Sequence, residues 1–137
     1  MKFSGIALIT DTPNKNGRIY PREVVEKALL EYQKQIDEKR SIGCIWSDDH
    51  YQTETIDLSK ASHIVNSAKL DGNNLIIEAQ TLKTPMGEVL AEIIENDKGT
   101  VPLWGLRPRG FGVLDENKKI GNYELISFDL LPMNKAS

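Results

Sequence analysis

A chain of 137 residues with 39% hydrophobic and 27% charged side chains has the balance of one globular domain, long enough to bury a core without disulfides or metals. Its net charge of −3 argues against a general nucleic-acid binder. The lone cysteine, Cys44, excludes an internal disulfide. No apolar run approaches the ~20 residues of a membrane span, and the N-terminus lacks a signal peptide's apolar core and cleavage site, so a soluble intracellular protein is expected.

Phe3 to Thr10 is a short apolar run and reads as a buried strand. "DTPNKNGRIYP" follows, with Pro13, Asn16-Gly17 and Pro21 as turn formers. Arg22 to about Lys39 is the clearest helix: Val25, Leu29, Tyr32 and Ile36 form one apolar stripe, and Pro21 suits its first turn. Ser41 to Trp46 reads as a strand and "SDDHYQTETIDLSK" as a polar loop. Ala61 to Leu70 and Asn74 to Leu82 then form a hairpin across "DGNN". "KTPMGEVLAEIIEND" is a second helix, with Thr84 as N-cap, Pro85 as first helical residue, Val89, Leu90, Ile93 and Ile94 as buried face, and Gly99 as its end. Val101 to Leu131 reads as strands broken by "DENKKIGN". Strands that follow one another without helices between them favour a largely antiparallel sheet or barrel with two main helices packed on it, an α+β fold.

One stretch looks like a site. "LWGLRPRGFG", residues 103 to 112, sets two arginines around a proline among three glycines, with Trp104 and Phe111 nearby. It holds no serine, cysteine, histidine or carboxylate, so nothing in it can attack or carry a proton.

Several segments together resemble the prohead proteases of tailed bacteriophages, the T4-like head-maturation serine proteases related to the herpesvirus capsid maturation protease. "NKNGRIYPREVVEKAL" is similar to that family's early Asn-Gly-Arg segment and helix. "DDHY" stands where the family has histidine followed by proline. "ASHIVNSAKLDGNNLIIEAQTLKTPMGEVLAEII" resembles its Ser-His strand, hairpin and Thr-Pro-x-Gly helix, and "FDLLPMNKAS" its closing segment. The resemblance implies a nucleophilic serine within Gly-(Val/Ile)-Ser-Ser-Arg-Gly-x-Gly. Here Gly105, Leu106, Arg107, Pro108, Arg109, Gly110, Phe111 and Gly112 follow without a gap, and Arg107 and Pro108 occupy the serine pair. A guanidinium stays protonated and offers only donors. Proline has no reactive side chain and removes a backbone N–H. The reaction as the family runs it needs a hydroxyl beside a histidine base.

The remaining candidates are weighed against ordinary structural roles. The resemblance makes His50 the histidine base, with Asp48 or Asp49 to orient it. Its bland alternative is a surface histidine in a polar loop. His63, after Ser62, is either catalytic or a hydrogen-bonded residue of a half-buried strand. Cys44 with either histidine matches no reactive signature. Cys44, Asp48, Asp49 and His50 match no recognised ligand spacing, so no metal and no cofactor is expected. Arg107 and Arg109, with Gly110 and Trp104, make a loop able to bind an anion. Alternatively the arginines pair with acids or stack on Trp104 or Phe111. Asp129 either supports the active-site region or is an inward carboxylate, for instance one paired with Arg109. Gly17, Arg18 and Tyr20 read as architectural.

Three functions stay open. The leading one is a phage protein of the prohead-protease fold that has lost its nucleophile and acts by binding capsid or scaffold proteins or peptide segments, in the prohead, the virion or the host cytoplasm. The second is an active prohead endopeptidase using another hydroxyl, such as Ser62 or Ser127. The third is an anion- or nucleotide-binding phage protein using Arg107 and Arg109. Homo-oligomerisation is possible under each reading. Neither membrane nor nucleic acid is an expected partner.

Overall fold

The computed structural model describes residues 1–45, 58–96 and 104–132. Strand β1 spans Lys2–Ile9, helix α1 Arg22–Asp37 and the short strand β2 Ile42–Cys44. A 3-10 turn at Leu58–Lys60 leads into β3, Ala61–Asp71, and β4, Asn74–Thr81. Helix α2 spans Pro85–Asn96, and β5, Trp104–Leu114, pairs with β6, Ile120–Pro132. All strand pairings between named strands are antiparallel, which gives the α+β arrangement of two helices on antiparallel sheets.

The ladders fall into a four-stranded sheet, ordered β1-β4-β3-β2, and the two-stranded β5-β6 sheet. Close approaches on both sides join them. An isolated parallel bridge links Ile45 to Leu130. On the other side, Gly5 of β1 lies so near β5 that a Cβ there would stand 3.1 Å from Leu106 Cδ1. The core sits between the sheets and α1. On β4, Leu75, Ile77 and Ala79 are buried while Glu78 and Gln80 point to solvent, the period-2 pattern of a strand with one dry face. Leu106, Leu125, Phe128 and Leu130 meet this face from β5 and β6, and Val25, Ala28 and Tyr32 from α1. Each fully buried Leu, Ile or Val stabilises the fold by roughly 1.5–3 kcal/mol.

The local signals mostly act where expected. Pro21 opens α1, and both glycines flanked by asparagine or aspartate in turns, Gly17 and Gly72, take positive φ (76° and 61°). The Thr84 hydroxyl accepts the Gly87 N–H at 3.0 Å as an N-cap and donates to Ala61 O at 2.6 Å, so it ties α2 to β3. Three expectations change. On α2, Val89 is exposed, and the buried positions are Leu90 and Gly87. Gly87 is there because the helix's first turn presses on the Leu82 carbonyl, where a Cβ would collide. On α1, Ala28 is buried, whereas Leu29 and Ile36 are only half-buried, so the buried stripe is rotated toward β6. The turn between β5 and β6 is shorter than "DENKKIGN": β6 already begins at Ile120. Gly99, the expected end of α2, lies outside the described residues.

Candidate functional site

Along β5 and β6 the register sets Arg107 opposite Asp129, Pro108 opposite Phe128 and Arg109 opposite Ser127. The two arginines then part company. Arg109 is 3% exposed, and its Nε and Nη2 both lie 2.8 Å from Asp129 Oδ2. The other carboxylate oxygen accepts from the Cys44 N–H at 3.1 Å and the Ser127 hydroxyl at 3.2 Å. This pair therefore fastens β5, β6 and β2 to one another. Arg109 carried two readings from the sequence, an anion-binding residue beside Arg107 or the partner of an inward Asp129. The structure commits it to the internal carboxylate, because an unpaired guanidinium at that depth would lose too much hydration.

Arg107 is half-buried and lines a pocket of about 190 Å³ together with Arg18, Tyr20, Pro108, Gly110 and Tyr123. The glycines of the opening stretch have a definite task here. A Cβ on Gly110 would stand 2.6 Å from the Tyr123 hydroxyl, and one on Gly112 would stand 3.2 Å from the Tyr123 ring. The bare backbone at these alternate positions makes the trough in which Tyr123 lies. Tyr20 packs edge-on against that ring, with centroids 5.5 Å apart. Burial raises the Tyr123 phenol well above its ordinary range, and the nearby Tyr20 adds to this. Arg107 and Arg18 pull the other way. Both guanidiniums thus act on one phenol.

Behind this wall is a second constellation. His63 Nε2 lies 2.7 Å from the Phe128 carbonyl, which can only accept, so that nitrogen carries the proton. Nδ1 is then free to accept from the Ser62 hydroxyl, 2.7 Å away. Gly43 makes this contact possible, since a Cβ there would collide with both the Phe128 oxygen and the His63 ring. Phe3 closes over the imidazole edge-on at 5.6 Å. Burial lowers the His63 pKa. The Phe128 hydrogen bond and the charge of Asp129 oppose that shift. A hydroxyl donating to a neutral imidazole has the polarity of a serine and its base. Yet Ser62 and His63 are both 0% exposed, so no substrate atom can reach them in this conformation. Phe128 stands between the two constellations: it faces Pro108 across the β5-β6 ladder and His63 through its carbonyl.

Of the other candidates, Cys44 is buried, and its backbone serves Asp129. Trp104 opens β5. Asp48, Asp49 and His50 lie outside the described residues. Sequence reasoning missed Arg18 and Tyr123 as partners of Arg107. The available signal was Gly110-x-Gly112, two bare positions on one face of a strand, which mark a close approach by another group.

Comparison with known proteins relates the chain to one family. The family described as "prohead core protein serine protease" matches residues 1–130. The prohead core protein protease of enterobacteria phage T4 is 27% identical over 120 residues, which is 85% of this chain. The chain spans 53% of that relative's length. In fold it is similar to the bacteriophage T4 capsid assembly protease, gp21, with a TM-score of 0.78 and 24% identity over 95% of this chain and 80% of that one.

Proposed function

The chain belongs to the family of prohead core protein serine proteases, and we propose that it acts in phage head assembly by binding capsid or scaffold segments rather than by cutting them. One observation carries this reading. At Arg107 and Pro108, where the resemblance puts the serine pair, the strand bears a guanidinium and a proline ring held in regular pairing with Asp129 and Phe128. A slip of the alignment by a residue or two along β5 supplies no hydroxyl from that strand, because the adjacent residues are Leu106, Arg109 and Gly110. β1 and β5 are edge strands, and a sheet edge binds an extended peptide by main-chain hydrogen bonds without any nucleophile.

Ser62 gives the endopeptidase reading its own support, because its hydroxyl already donates to His63. Catalysis there would need β2 and β6 to open away from β3. A fluorophosphonate probe separates the two readings. The binding protein stays unlabelled, and intact mass spectrometry shows no adduct. Stoichiometric labelling that is lost in Ser62→Ala would establish an enzyme. The binding itself is tested by co-sedimentation of the purified chain with proheads, and a chain that stays entirely in the supernatant refutes it.

A further inference from the structure

We propose that the pocket between Arg18 and Arg107 binds the phosphate of a small organic phosphate whose apolar part, of nucleotide size, lies in the adjoining pocket. Two guanidiniums line one pocket of about 190 Å³, and both lie near enough to Tyr123 to favour its ionised form. Among the described residues, no carboxylate is within ion-pair distance of either, while Arg22, Arg40 and Arg109 each have one. The chain carries an excess of three acids, so this arrangement does not reflect a shortage of partners. Like charges held together repel, and the penalty is relieved when an anion enters. Arginine forks match the oxygens of a phosphate, and the Tyr123 hydroxyl adds a third donor.

A neighbouring pocket of about 240 Å³ is lined by Leu8, Ile9 and Pro13 with Thr12, Asn14 and Lys15 at its polar side, and it shares Tyr20 and Pro108 with the first. The two pockets are adjacent, one cationic and the other largely apolar, with Tyr20 and Pro108 lining both. These volumes suit a small molecule with a charged head and a flat or apolar body, and are too small for a folded partner. Pro108 has a role on this reading: its rigid ring is a wall of both pockets.

The inference rests on the binding reading only in taking Arg107 and Pro108 as free of catalytic duty. Labelling and ligand binding are separate readouts, so either can fail alone. The test is isothermal titration of the full chain with adenosine monophosphate, orthophosphate, adenosine and acetate. The nucleotide is expected to bind about tenfold or more tighter than orthophosphate, with adenosine and acetate weaker still. Arg18→Gln and Arg107→Gln should each weaken it about tenfold or more, and Arg107→Lys should fall between, because a lysine keeps the charge and loses the fork. Both arginines are partly exposed, so these variants keep the fold, as circular dichroism would verify. Absence of nucleotide binding at millimolar concentration overturns the proposal. So does equal affinity for orthophosphate or acetate, or binding that survives both glutamine variants.

Discussion

The His63 ring and the Phe128 carbonyl are joined by a 2.7 Å hydrogen bond that crosses from the four-stranded sheet to the β5-β6 sheet. It passes over Gly43, the one residue of β2 without a side chain. Gly43→Ala would drive a methyl group into both partners. Backbone must then move, so the substitution is expected to cost about 2–3 kcal/mol. Chemical denaturation measures this, and a loss below about 0.5 kcal/mol would show that the approach is not so tight.

The same hydrogen bond fixes the tautomer of His63, while burial sets its charge state. Its folded pKa is lowered by burial, while the unfolded chain titrates near the ordinary ~6.5. Between those values the unfolded state binds a proton that the folded state refuses. Stability is therefore full above pH ~6.5 and falls as pH drops below it, by up to about 1.4 kcal/mol per pH unit. The imidazole resonance of His63 should stay in its neutral form at pH ~6, where a model imidazole is mostly protonated. A midpoint near the ordinary histidine value would contradict this.

Asp129 and Arg109 are both almost fully buried, so removing one takes from the other its ion-pair partner. Asp129→Asn is expected to destabilise by about 3–5 kcal/mol. Replacing both, as in Arg109→Met with Asp129→Leu, should cost much less than the single change, because no charge is then left without a partner. A double-mutant cycle decides the point: additive losses would mean that the ion pair contributes little coupling.

The Tyr32 hydroxyl is buried with no hydrogen-bond partner among the described residues, and its ring packs edge-on against Phe128 at 5.2 Å. Burial raises its phenol pKa, and the Asp129 charge adds to the rise. Tyr32→Phe keeps the ring contact and removes the stranded dipole. It should leave stability unchanged or raise it by about 1 kcal/mol. A clear fall in the melting temperature would mean that the hydroxyl has a partner.

How far the site could be read in advance differs from residue to residue. The helices, the hairpin at Gly72 and the Thr84 cap follow from signals within a few residues of one another, and so they were legible. The alternation of Ser127, Asp129 and Leu131 likewise put Asp129 on an inward face. Nothing local, however, divides the duties of Arg107 and Arg109. They are two residues apart and chemically identical, yet one is sealed against Asp129 and the other lines an open pocket with Arg18. That outcome depends on where Asp129 of β6 and the segment holding Arg18, 89 positions upstream of Arg107, come to lie.

The chain order alone determined that a guanidinium and a proline stand where the resemblance implies a serine pair, because side-chain chemistry is fixed by covalent structure. Only the tertiary fold decided which cation is neutralised, which stays open, and that Ser62 and His63 face each other in the dark of the core. Burial and pairing are relations between distant segments. Their energies come from desolvation and close packing, which exist only once the sheets have met.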